Sequence, residues 1–190
     1  MTDYFALFHE ARRPWLDADT LKDKLHKLSA LHHPDVAKDD SVDFTELNAA
    51  YRTLHDPKTR LRHLLELEFP GTLTGNLQIP ADISRLFETV AKERQSVGAF
   101  LEKRAELKSP LEIALMAPEK LGLLAALEKL LEALNSKHEG ILTQIKFMDA
   151  GWEEDKATSQ TALLDIYQGI SYVGKWTDQV REDLAKLGEN

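Results

Sequence analysis

The feature that most constrains this chain is a proline-stiffened hexapeptide, Leu31-His32-His33-Pro34-Asp35-Val36, set between two segments of helical period. Upstream, Leu21, Leu25 and Leu28 recur at i, i+4 and i+7, with Lys22, Lys24 and Lys27 off that stripe. Downstream, Phe44, Leu47, Tyr51 and Leu54 repeat at i, i+3, i+7 and i+10. Pro34 has no amide hydrogen and pushes His33 out of the helical region, so the first helix stops at about His32. The spacing therefore predicts an antiparallel helix pair whose loop holds an imidazole, a rigid ring and a carboxylate at its tip. That corner offers a short polar key, with no nucleophile and no phosphate cradle.

The flanks extend the pattern. Asp3 to about His9 reads as a short helix with Tyr4, Phe5, Leu7 and Phe8 as core candidates, broken by Arg12-Arg13-Pro14-Trp15. Asp17-Ala18-Asp19-Thr20 supplies side-chain oxygens to cap the next helix, from about Thr20 to Leu31. Asp56-Pro57 reads as an N-cap followed by proline in the first turn of a fourth helix running to about Glu68. Taken together, His33-Pro34-Asp35, the opening Asp3-Tyr4-Phe5-Ala6-Leu7-Phe8 and the third-helix run Phe44 to Tyr51 resemble the J domain of DnaJ-type proteins. The resemblance covers roughly the first 68 residues. It implies that His33, Pro34 and Asp35 dock on the ATPase domain of a DnaK-type chaperone, Asp35 pairing with an arginine there. It also implies a cationic docking face on the second helix, where Lys22, His26 and Lys27 occupy the matching positions and Asp23 lies among them. Solvated helix charges are the plain alternative for these side chains.

Beyond the fourth helix, residues 69–80 hold two glycines, two prolines and no charge, and read as a linker. From residue 81 to 190 everything reads helical. Ile83, Leu86, Phe87, Val90, Val97, Phe100 and Leu101 form one stripe; Leu121 to Met148 form a second on a long helix between Pro118 and Gly151; Leu163 to Leu187 form a third. Ser109-Pro110-Leu111-Glu112 reads as a capping box opening a short segment between the first two. The expected fold is therefore all-α: an N-terminal J domain, made of an antiparallel helical hairpin plus two short helices, followed by a C-terminal three-helix bundle.

A J domain joined to such a bundle, with neither a Gly/Phe-rich segment nor a cysteine-rich zinc module, resembles the HscB family of iron–sulfur cluster assembly co-chaperones. Arg60-Leu61-Arg62-His63-Leu64-Leu65 resembles that family's fourth helix, and Tyr172-Val173-Gly174-Lys175-Trp176 through Leu184 its last helix. The resemblance implies an HscA-type chaperone partner and an iron–sulfur scaffold protein as client. Leu86, Phe87 and Val90 are the candidate client contacts, with burial in the bundle core the alternative for all three. Leu111, Ile113, Leu115 and Met116 could form an exposed apolar patch or a lid. A J-domain protein for another client, and a structural adaptor with an inactive J domain, stay open as rival readings.

Composition closes off other classes. With 43% hydrophobic and 29% charged residues the chain can build a core. A net charge of −8 argues against generic nucleic-acid binding, which needs clustered cations to displace counterions. There is no cysteine, and the seven histidines show no familiar zinc spacing, so neither a metal nor another cofactor is expected. No glycine-rich phosphate loop and no nucleophile–base–orienter set is visible, so no enzymatic activity is expected. No apolar run reaches the roughly 20 residues that span a bilayer, and Met1-Thr2-Asp3-Tyr4 lacks a signal-peptide pattern. A cytoplasmic protein with no membrane partner is the expectation.

Overall fold

The computed structural model describes residues 2–31, 44–74 and 79–189, and among these residues every regular element is helical. Asp3 starts the first of them. Its side chain accepts the amides of Phe5 (3.0 Å) and Ala6 (3.2 Å) and so caps α1, Tyr4–Leu7. The helix is shorter than the apolar run suggested, because the chain turns at His9, whose φ of 51° lies in the left-handed region. Asp17 caps α2, Ala18–Leu31, by accepting the Thr20 amide at 2.8 Å. α3 spans Phe44–His55. Asp56 accepts the Thr59 amide at 2.8 Å with Pro57 in the first turn, opening α4, Pro57–Glu68, as the sequence predicts. A 3₁₀ turn at Thr72–Thr74 and another at Ala81–Ile83 lead to α5, Ser84–Glu106. Then come α6 (Pro110–Leu115), α7 (Ala117–Ala150), α8 (Trp152–Asp155) and α9 (Gln160–Glu189). α6 begins where the capping box places it, but the Ser109 side chain makes no cap hydrogen bond. Proline at the first helical position, with its fixed φ, suffices to start it.

The chain divides into two compact units: Met1–Leu77 with Leu142–Tyr167, and Gln78–Ile141 with Gln168–Asn190. In the first unit, Phe5, Phe8, Leu21, Leu47, Leu54 and Leu61 are each at most 1% exposed. Burial of this kind stabilises by about 1.5–3 kcal/mol per side chain. Arg60 is buried with them, donating from Nε to the Pro14 carbonyl (2.8 Å) and from a terminal nitrogen to the Leu54 carbonyl (2.7 Å). Its guanidinium also stands 5.7 Å from the Trp15 ring centroid. Burial pushes its pKa down to about 10, against the opposing pull of Asp56 and Asp149, so it remains a cation at neutral pH.

Residues 142–167 belong to this unit through contacts that span most of the chain. Asp149 accepts the Trp15 amide at 3.0 Å and a forked pair of bonds from Arg13. Those bonds raise the Arg13 pKa above its ordinary value, with burial working against them. Trp152, 1% exposed, donates its indole N–H to the Arg12 carbonyl at 2.6 Å. Lys146 sits 4.4 Å from the Trp15 ring, and Glu68 binds both Arg12 (3.2 Å) and Lys156 (2.7 Å).

In the second unit predicted stripe positions face inward: Ile83, Val90, Val97 and Phe100; Leu127, Leu134 and Ile141; Ile170, Val173, Val180 and Leu187 are all buried, while on α7 Leu130 is buried where the spacing predicts Leu131, which is only half-buried. Arg94 reaches the buried Asp183 at 2.9 Å, tying α5 to α9. Among the described residues no helix is long and apolar enough to cross a membrane.

Candidate functional site

The residues with the sharpest sequence signal, His33, Pro34 and Asp35, lie outside the described residues. What the structure gives is their frame. α2 ends at Leu31 and α3 begins at Phe44, so the tripeptide falls between the two helices.

On α2 the side chains sort cleanly. Leu21 is fully buried, whereas Lys22, Asp23, His26, Lys27 and Ala30 are exposed. At 100° per residue these five fall within an arc of about 140°, one face of the helix. Lys22, His26 and Lys27 are thus brought together, with Asp23 as the single acid among them. Lys24, the third lysine of this helix, is turned away. It binds Glu10 at 2.7 Å and the His9 carbonyl at 3.1 Å, and so fastens α2 to the turn after α1. The face available to a partner therefore carries Lys22 and Lys27 without Lys24.

The candidate client residues on α5 separate. Val90 is 3% exposed and takes the buried-core role; its position on the inward stripe leaves it no access to a partner. Leu86 is half-buried, and Phe87 is 44% exposed. Phe87 does not stand alone. Its ring centroid lies 5.9 Å from that of Trp176, which in turn stacks on Tyr172 at 5.6 Å. Trp176 is buried and Tyr172 half-buried, so Phe87 is the open end of a three-ring row. Sequence reasoning left out Tyr172 and Trp176 as members of this surface. Their i, i+4 spacing on the last helix was the available signal.

A second apolar surface stands on α6 and the start of α7. Leu111, Leu115 and Leu121 are 70%, 73% and 65% exposed, while Met116 is buried. The segment is thus neither wholly patch nor wholly lid. Among the described residues no three of His, Cys, Asp and Glu converge as a metal site would require.

Comparison with known proteins fits this geometry. The DnaJ domain family matches residues 13–63. Over 65 residues the chain is 40% identical to the chaperone protein DnaJ of Prochlorococcus marinus subsp. pastoris, covering 33% of this chain and 17% of that protein. Over 52 residues it is 40% identical to the mitochondrial J-type co-chaperone JAC1 of Saccharomyces cerevisiae, covering 27% of this chain and 28% of the other. These alignments span under a third of each relative. The structure of the chaperone HscB from Vibrio cholerae superposes with a TM-score of 0.60 at 20% identity, covering 98% of this chain and 99% of that one. A DnaJ domain within the first unit and one fold shared along nearly the whole length lead to a single assignment: the chain is a J-domain protein built on the HscB fold.

Proposed function

We propose that this protein is a co-chaperone that stimulates the ATPase of a DnaK/HscA-type chaperone and delivers a client to it. The observation that carries the reading is the His33-Pro34-Asp35 tripeptide in the sequence between α2 and α3, together with an α2 face that exposes Lys22, His26 and Lys27. Asp35 supplies a charge-assisted hydrogen bond to the partner, and the lysines supply local positive potential that an overall acidic chain otherwise lacks. The protein contributes no bond-making chemistry; it changes the rate of the partner's. The client is an iron–sulfur cluster scaffold protein, bound on the second unit around Leu86 and Phe87, and the setting is the cytoplasm. The fold shared with HscB and the local similarity to the J-type co-chaperone JAC1 support the co-chaperone role; JAC1 itself is mitochondrial. Holding client and chaperone on one chain raises the effective concentration of each for the other.

Steady-state ATP hydrolysis by a DnaK-type chaperone, with and without this protein, tests the proposal. Wild type accelerates hydrolysis and His33→Gln does not. Equal rates with the two proteins would retire the stimulation and leave a structural adaptor. Stimulation without binding to any cluster scaffold would point to a different client.

A further inference from the structure

Among the described residues His63 is the one buried histidine. It projects from α4, 4% exposed, with its ring nearly parallel to Phe5 (8° between planes, centroids 5.7 Å apart) and tilted against Tyr4 (31°, 4.9 Å). Its Nε2 accepts the backbone amide of Tyr4 at 3.1 Å. A backbone N–H can only donate, so Nε2 carries no hydrogen and the ring is neutral, protonated on Nδ1. Tyr4 is the first residue of α1, and Asp3 takes the next two amides, Phe5 and Ala6. One imidazole and one carboxylate therefore hold the start of this helix.

The charged groups around the ring come from three places. Asp3, capping α1, and Glu66, on α4 itself, favour a cationic ring; Arg12, in the turn beyond α1, opposes it. Both acids are already engaged, Asp3 with Arg12 at 2.8 Å and Glu66 with Arg62 at 3.0 Å. Burial is the largest influence on His63 and disfavours its charged form.

We propose that His63 is a proton-operated latch on the N-terminal helix: bare, its Nε2 holds the Tyr4 amide; protonated, it turns a second donor toward that amide and α1 lets go. α1 carries the buried Phe5 and is followed at once by the buried Phe8, so release loosens the unit that also bears the exposed face of α2. The latch does not depend on the co-chaperone reading.

The direction in pH follows from the contact. With α1 detached, His63 titrates near its ordinary value of 6.5; with α1 attached, its pKa is lower. Above about 6.5 both forms are neutral and the latch is set. As pH falls below that, the detached form takes up the proton first, and detachment becomes easier by up to about tenfold per pH unit until the attached form also titrates. Asp3, held below its ordinary pKa, stays ionised across this window, so its cap is constant.

Amide hydrogen exchange in the full-length protein, read by NMR between pH 7.5 and 5.5, tests this. In wild type the protection factors of Tyr4 and Phe8, normalised for intrinsic exchange, should fall over that range, by at most about tenfold. His63→Gln, whose amide oxygen can accept the same hydrogen without titrating, should stay flat. The His63 ring itself should titrate with a midpoint below 6.5 in wild type, a measurement that needs no variant to fold. Constant protection in wild type, an equal fall in His63→Gln, or a ring midpoint at or above 6.5 would each overturn the latch.

Discussion

Asp149→Ala should destabilise the first unit by about 2–3 kcal/mol, although the substitution lies 134 residues from the loop it anchors. Asp149 has a side chain only 8% exposed and makes two kinds of contact. The bond from the half-buried Trp15 amide goes to a charged acceptor, worth about 1.5–3 kcal/mol, and its loss strands a backbone donor. The fork to Arg13 is geometrically favourable, but the Arg13 side chain is 45% exposed, so solvent screening keeps that contribution below about 1 kcal/mol. Asp149→Asn should cost about 1 kcal/mol, because an amide oxygen can still accept the Trp15 hydrogen while the charge is gone. Urea unfolding followed by tryptophan fluorescence reads the difference, since Trp15 and Trp152 both lie in this unit. With a slope of roughly 2 kcal/mol/M, the alanine midpoint should fall by about 1 M. An alanine variant within about 0.5 kcal/mol of wild type would refute the anchoring role. An asparagine variant as damaged as alanine would show that the charge matters and the Trp15 amide does not.

Three further outcomes can be checked directly. ATPase stimulation should weaken as salt rises toward about 0.5 M, where the Debye length is roughly 4 Å, and salt-independent stimulation would remove Lys22 and Lys27 from the docking face. His9→Gly should raise thermal stability by about 0.5–1 kcal/mol, because glycine adopts the left-handed backbone at that turn without steric cost; an unchanged or lower midpoint contradicts it. Phe87→Asp should weaken scaffold binding at least tenfold by calorimetry with the helical circular dichroism intact, and undiminished affinity would move the client site elsewhere.

Much of the fold was legible because helices announce themselves locally. The α2 stripe at Leu21, Leu25 and Leu28, the Asp56-Pro57 cap and the inward residues of α5 and α9 each rest on neighbours within a turn or two. The exposed face of α2 followed from the same period. Four things did not follow. Lys24 looks like its neighbours in sequence, and only its bonds to Glu10 and the His9 carbonyl set it apart. Val90 and Phe87 share one stripe, yet an arc of a few tens of degrees separates core from surface, finer than periodicity resolves. The packing of residues 142–167 with the N-terminal segment rests on Asp149 and Trp152 meeting backbone groups of Trp15 and Arg12. A carboxylate at the end of α7 and an indole at the start of α8 give no hint of partners that distant. Leu121 likewise continues the α7 stripe but stays 65% exposed in the helix's first turns.

That last-mentioned packing sets an order of events during synthesis. The stretch ending at Leu77 leaves the ribosome before the segment beginning at Leu142 has been made, and the 64 residues of Gln78–Ile141 separate the two. At about 5–20 residues per second the gap is roughly 3–13 s. Through that interval the Trp15 amide and the Arg12 carbonyl wait on water instead of Asp149 and Trp152, and the nascent N-terminal region is an unfinished body that residues 142–167 must come back to complete.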